Sequence, residues 1–104
     1  MIDGWRRQID ELDREILRLL NRRAELAHRI GDEKRAKGLP LHSPAREEEV
    51  LRCITEENTG PLSAAAVERI FRLIIAESRN LQEVSKDDRG DEARGDPGRD
   101  RGGE

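Results

Sequence analysis

Between Ile2 and Ile30, apolar residues recur at alternating steps of three and four: Ile2, Trp5, Ile9, Leu12, Ile16, Leu19, Leu26 and Ile30, with Arg23 standing where one more belongs. This spacing is the seam of a helix that packs against other helices. Beside it runs a second line, Leu17, Leu20, Ala24, Ala27 and Gly31, so the apolar face is wide enough to need more than one neighbour. The helix is expected from about Asp3 to Ala36 and should stop at "KGLP", where Gly38 can take a left-handed cap and Pro40 cannot continue. Roughly 34 residues at ~1.5 Å each make a rod about 50 Å long, while a compact domain of this size has a radius of gyration of about 12 Å. One copy cannot cover such a rod. An intertwined, antiparallel homodimer is the expected solution.

Two shorter helices should follow, in an all-α fold of a long first, short second and medium third helix. "HSPAREEE" announces the second, with Ser43 as N-cap, Pro44 at the first helical position and acidic residues in the early turns; it ends before "NTGP". The third starts near Ser63 and carries Val67, Ile70, Phe71, Ile74, Ile75 and Leu81 on one stripe. No segment alternates apolar and polar residues as a half-buried strand does. From Ser85 the chain reads "SKDDRGDEARGDPGRDRGGE", in which Ala93 is the only apolar residue. Such a segment buries too little to offset its ordering entropy, so residues 1–84 are expected to form the helical domain and 85–104 a disordered charged tail.

Charge and cysteine usage exclude several functions. With 20 Lys and Arg against 23 Asp and Glu, the formal charge is −3, and no basic excess points to nucleic acid or an anionic membrane. Anion recognition, if present, must be local. Cys53 has no partner for an intrachain disulfide, and no apolar stretch is long enough for a membrane span, so a cytoplasmic protein is expected.

The residues that break the apolar stripes carry the functional information. Arg23 and Lys34 lie eleven residues apart, about 20° out of phase and ~16 Å along the axis, so two long cations project from nearly one face. In the third helix Ser78 and Gln82 continue the stripe of Phe71 and Ile74 or Ile75 with neutral hydrogen-bonding groups. Each alone has an ordinary explanation: a seam Arg snorkels to water or pairs with Glu, and a Ser in a stripe is a small packing residue. Together they describe a pocket for an anionic ligand, because burying uncompensated cations costs several kcal/mol. His28, grouped with Glu25, Arg29 and Asp32, and His42, ahead of a cap, are expected to be solvated. Neither has companions at metal-ligand spacing, and no metal or cofactor is expected. Cys53 reads as a small buried hydrophobe.

The stretches "WRRQIDELDREILRLLNRRAELAHRIGDEK", "PAREEEVL" and "RIFRLIIAESRNLQ" resemble the all-helical class of chorismate mutase, over about residues 2–84. The resemblance implies a homodimer of three-helix chains whose first helices cross. It also implies rearrangement of chorismate to prephenate, in aromatic amino-acid biosynthesis, without cofactor. Carried over by position, it makes Arg23 a carboxylate-binding residue of the same chain, and Arg6 one supplied by the partner chain. Lys34 becomes a contact to both a carboxylate and the ether oxygen, and Gln82 the second donor to that oxygen. Glu47 accepts from the ring hydroxyl, Ser78 lies near a carboxylate, and Arg46 supports Glu47. Ser43 stands where the family often has an acidic residue. Arg23, Lys34 and Gln82 are thus the implied catalytic groups.

Three alternatives remain at the level of sequence: an isochorismate pyruvate lyase on the same scaffold, a non-catalytic regulatory or dimerisation module, and a plain coiled-coil adaptor. Association of the protein with another shikimate-pathway enzyme is a further possibility at this level.

Overall fold

A computed structural model of the chain describes residues 1–83; the tail expected at 85–104, and the boundary drawn at residue 84, lie outside them. Three helices follow one another: α1 (Ile2–Lys37), α2 (Pro44–Glu57) and α3 (Ala64–Glu83). Their ends have local causes. Gly38, at φ 69°, forms the left-handed cap of α1, and the amides of Gly38 and Leu39 return to the carbonyls of Arg35 and Lys34 at 3.2 and 2.8 Å. Lys34, Arg35 and Lys37 sit in that last turn, where the helix dipole favours cations. Ser43 Oγ accepts from the Arg46 amide at 3.3 Å to start α2, and Ser63 Oγ accepts from the Ala66 amide at 3.0 Å to start α3.

Packing is centred on α3, which touches both α1 and α2. The apolar core is small: Ala27 from α1, Leu51 from α2, and Val67 and Ile75 from α3. At Gly31 α1 comes close to α3, since a Cβ there would lie 2.9 Å from Gln82 Cα. Of the expected α3 stripe, Val67 and Ile75 are buried, whereas Ile70 is 46% exposed. The described residues extend 53 × 36 × 16 Å with a radius of gyration of 16.5 Å, well above the ~12 Å of a compact chain this long. The excess is the N-terminal half of α1. Trp5, Ile9, Leu12, Ile16 and Leu17 are all more than half exposed there, and only Ala27, His28 and Gly31 of the whole helix are buried.

Two expectations are corrected. His28 is buried, at 5% exposure: it lies three residues before Gly31, on the side that α3 covers, rather than with its sequence neighbours Glu25 and Arg29. Cys53 is exposed, because it sits two positions beyond the buried Leu51 and so on the outer side of α2. No helix among the described residues is long and apolar enough to cross a membrane.

Candidate active site

Where α1 ends, α2 begins and α3 ends, the three helices enclose a cleft of about 270 Å³. Six of the seven expected site residues line it: Arg23, Lys34, Ser43, Glu47, Ser78 and Gln82, joined by Arg46 and Arg79. Leu26, Ala27, Ile30, Val50 and Ile75 supply apolar walls, which weaken competition from water for any charge held inside.

Arg23 is half-buried, and its Nη1 donates to Ser78 Oγ at 2.7 Å. The Ser78 hydroxyl donates in turn to the Ile74 carbonyl at 3.0 Å, so its lone pair is turned towards the guanidinium. Lys34, also half-buried, donates to the Leu41 carbonyl at 3.2 Å. Neither cation has a carboxylate within 4 Å among the described residues. Each therefore faces the cleft with donors to spare and, among the described residues, no carboxylate of its own.

Glu47, the carboxylate of the site, is already engaged. Arg79 reaches it from α3 through two hydrogen bonds, Nε to Oε2 at 3.1 Å and Nη2 to Oε1 at 2.9 Å, and His42 Nε2 lies 3.4 Å from Oε2. The hydrogen bonds from Arg79 hold the carboxyl below the usual glutamate range; burial opposes them, while the charges of Arg79 and His42 reinforce them. With Arg79 and His42 both at Oε2, it is Oε1 that keeps a lone pair for one further donor. The hydroxyl of Ser43 is committed to capping α2, so what it presents to the cleft is limited.

Arg46 differs from the expectation drawn for it. It is exposed and donates to Glu49 at 2.8 Å, one turn along its own helix, and Arg79 takes the role of holding Glu47. Arg79 is absent from the residues the family resemblance implies, yet it follows the buried Ile75 by four residues and precedes Gln82 by three, which places it on the inner stripe of α3. Arg6 is exposed on α1 and does not line the cleft. It lies 28 residues before Lys34, about 42 Å along the helix.

Among the described residues no group of three His, Cys, Asp or Glu is gathered to hold a metal. Two cations without a carboxylate partner among the described residues, an amide, a hydroxyl and an ionised carboxylate in a partly apolar cleft can orient a small anion bearing a hydroxyl. They can also stabilise charge that develops on one of its oxygens.

The pattern of the family described as chorismate mutase type II matches residues 5–83. Over 85 residues the chain is 44% identical to a bifunctional chorismate mutase/prephenate dehydratase of Aquifex aeolicus, covering 78% of this chain and 24% of that protein. It thus spans about a quarter of that relative's length. It is 30% identical over 80 residues to a chorismate mutase of Methanocaldococcus jannaschii, covering 74% of this chain and 79% of that one. A solved structure of chorismate mutase (Form II) from Thermus thermophilus superposes with a TM-score of 0.78 at 40% identity, covering 79% of this chain and 93% of that one.

Proposed function

The chain belongs to the chorismate mutase type II family, and we propose that it converts chorismate to prephenate in aromatic amino-acid biosynthesis. The observation that carries this reading is the pair Arg23 and Lys34: two half-buried cations on one face of α1, turned to a cleft that also holds Gln82, with no carboxylate of the described chain to neutralise them. A dianionic substrate supplies the missing charge.

The reaction is intramolecular. One C–O bond breaks, one C–C bond forms, and no proton or electron is exchanged with the protein, so catalysis reduces to holding the reactive conformer and stabilising charge. In this reading Arg23 binds one carboxylate, with Ser78 fixing its guanidinium. Lys34 and Gln82 donate to the ether oxygen as its C–O bond lengthens, and Glu47, held ionised by Arg79, accepts from the ring hydroxyl. A ~10⁶-fold acceleration needs only about 8 kcal/mol, within the range of these two effects combined.

The second carboxylate is assigned to Arg6 of a second copy. If two α1 helices run antiparallel with the two-fold axis near Leu17, Arg6 of one comes level with the midpoint of Arg23 and Lys34 of the other, and the uncovered seam is buried. We place the protein in the cytoplasm. The names of the bifunctional relatives join chorismate mutase to prephenate dehydratase, which supports an association with a neighbouring enzyme of the same route.

The test is incubation of the purified protein with chorismate and, separately, isochorismate, with products identified. Prephenate from chorismate supports the reading. Pyruvate from isochorismate without chorismate turnover would replace it with the lyase, and no turnover of either would make the chain a binding module.

A further inference from the structure

His28 is buried at 5% exposure and stands outside the machinery assigned above. With its proton on Nδ1, the ring donates to the Leu81 carbonyl, 3.4 Å away in the last described turn of α3. Among the described residues its Nε2 has no hydrogen-bond partner, and a carboxylate oxygen of Asp32 lies 3.6 Å away. A buried polar nitrogen left unpaired costs free energy. An aliphatic side chain would fill the same space without that cost. The imidazole is therefore a poor filler, and its paired nitrogen is the feature to explain.

The Leu81 carbonyl belongs to the same planar peptide unit as the amide nitrogen and Cα of Gln82. Three residues further along the same face of α1, Gly31 meets that very Cα, at a distance where an added Cβ would come within 2.9 Å. His28 and Gly31 thus grip one peptide plane from two points. The side chain built on that plane lines the cleft beside Lys34.

We propose that His28 is a positioning residue for Gln82, using its Nδ1–H to hold the Leu81–Gln82 peptide against Gly31 so that the Gln82 amide is aimed at the reacting oxygen of the substrate. The proposal rests on the chorismate reading for its consequence in catalysis, though not for the geometry. An interaction aimed at charge that appears only in the transition state acts on kcat, whereas a residue that merely fills the core acts on stability.

Two variants separate these. His28→Leu keeps bulk and removes the donor; His28→Asn places an amide N–H close to where Nδ1 stood. With chorismate, His28→Leu is expected to lower kcat about tenfold with KM within about twofold of wild type, less than the ~10²-fold of losing a transition-state donor outright, because Gln82 is misplaced and not absent. His28→Asn should recover most of that kcat even if its melting temperature falls. In ¹⁵N-labelled protein, the Gln82 side-chain amide resonances should shift in His28→Leu and stay near their wild-type positions in His28→Asn. Should His28→Leu not fold, Gly31→Ala takes its place, displacing the Gln82 Cα from the second contact with the same kcat-selective loss. An unchanged kcat in the donor-less variant, or equal losses in Leu and Asn, would overturn the proposal. An inactive wild type whose Gln82 resonances still follow the donor would instead overturn the chorismate reading and leave the positioning role standing.

Discussion

The two halves of α1 share one apolar rhythm and have opposite fates. From Arg23 to Lys37 the helix meets α3, buries Ala27, His28 and Gly31, and directs Arg23 and Lys34 into a cleft. From Ile2 to Arg22 none of its residues is buried among the described residues, and Trp5, Ile9, Leu12, Ile16 and Leu17 remain more than half exposed. A monomeric protein seldom displays so continuous an apolar stripe. The exposed half is written in the same code as the core, and under the proposed dimer a second copy would cover it. The cleft's α1 cations come from the packed half, and Arg6 lies on the bare one.

The largest expected effect comes from breaking the bare half. Leu12→Asp puts a carboxylate into a seam that a second copy would bury, at a cost of several kcal/mol per site; sedimentation should show loss of the dimer, with activity below about a thousandth of wild type. A folded, active Leu12→Asp protein would mean that the stripe has no partner.

Next come the residues that would link the halves. Arg6→Ala and Lys34→Ala should each lower kcat/KM by roughly 10³-fold. Refolded together, they form heterodimers with one doubly defective site and one intact site, and activity should return to about a quarter of wild type per total chain if assembly is statistical. Heterodimers without recovered activity would show that the site is not shared.

A smaller effect tests the packed half alone. With an amide at Gln82, kcat should stay nearly flat from about pH 5.5 to 8.5. Gln82→Glu can donate only when protonated, so its kcat should fall up to about tenfold per pH unit above the carboxyl's pKa. A flat profile in the variant would remove Gln82 from the reacting oxygen.

The mildest change is Arg79→Gln. Glu47 titrates below its ordinary range in the folded chain. The pair's contribution to stability is thus fully present above the unfolded glutamate pKa of about 4.3 and is lost as pH falls through the lowered folded value. Without Arg79 the carboxyl returns towards its ordinary range, so the acid limb of kcat/KM should move to higher pH. Chemical denaturation near neutrality should register about 1 kcal/mol or less, because both side chains are partly exposed. An unmoved acid limb would separate Arg79 from the function of Glu47.

Much of this was legible in the sequence because it depends on periodicity and local chemistry. Helix bounds followed from Gly38, Pro40, Ser43 and Ser63, and the grouping of Arg23 with Lys34 on one face and of Ser78 with Gln82 on one stripe followed from helical spacing. What escaped depends on which neighbour arrives. His28 reads as a polar-face residue until α3 is laid over Gly31, and Cys53 reads as core until α2 turns it outward. Arg46 and Arg79 both lie near the same carboxylate, and only the helix crossing shows that Arg46 turns to Glu49 while Arg79 takes Glu47.

The hydroxyl of Ser78 gives its proton to Ile74 and its lone pair to Arg23. A free arginine side chain carries about 2 kcal/mol of rotamer entropy. Tethered at one Nη, it has surrendered part of that freedom before any ligand arrives, and its remaining N–H groups wait in a fixed fan. Ser78→Ala would leave the charge untouched and return the motion. Its penalty should therefore appear in the entropy of association: a KM raised a few-fold, a more favourable binding enthalpy offset by a larger entropic cost, and a deficit that widens on warming.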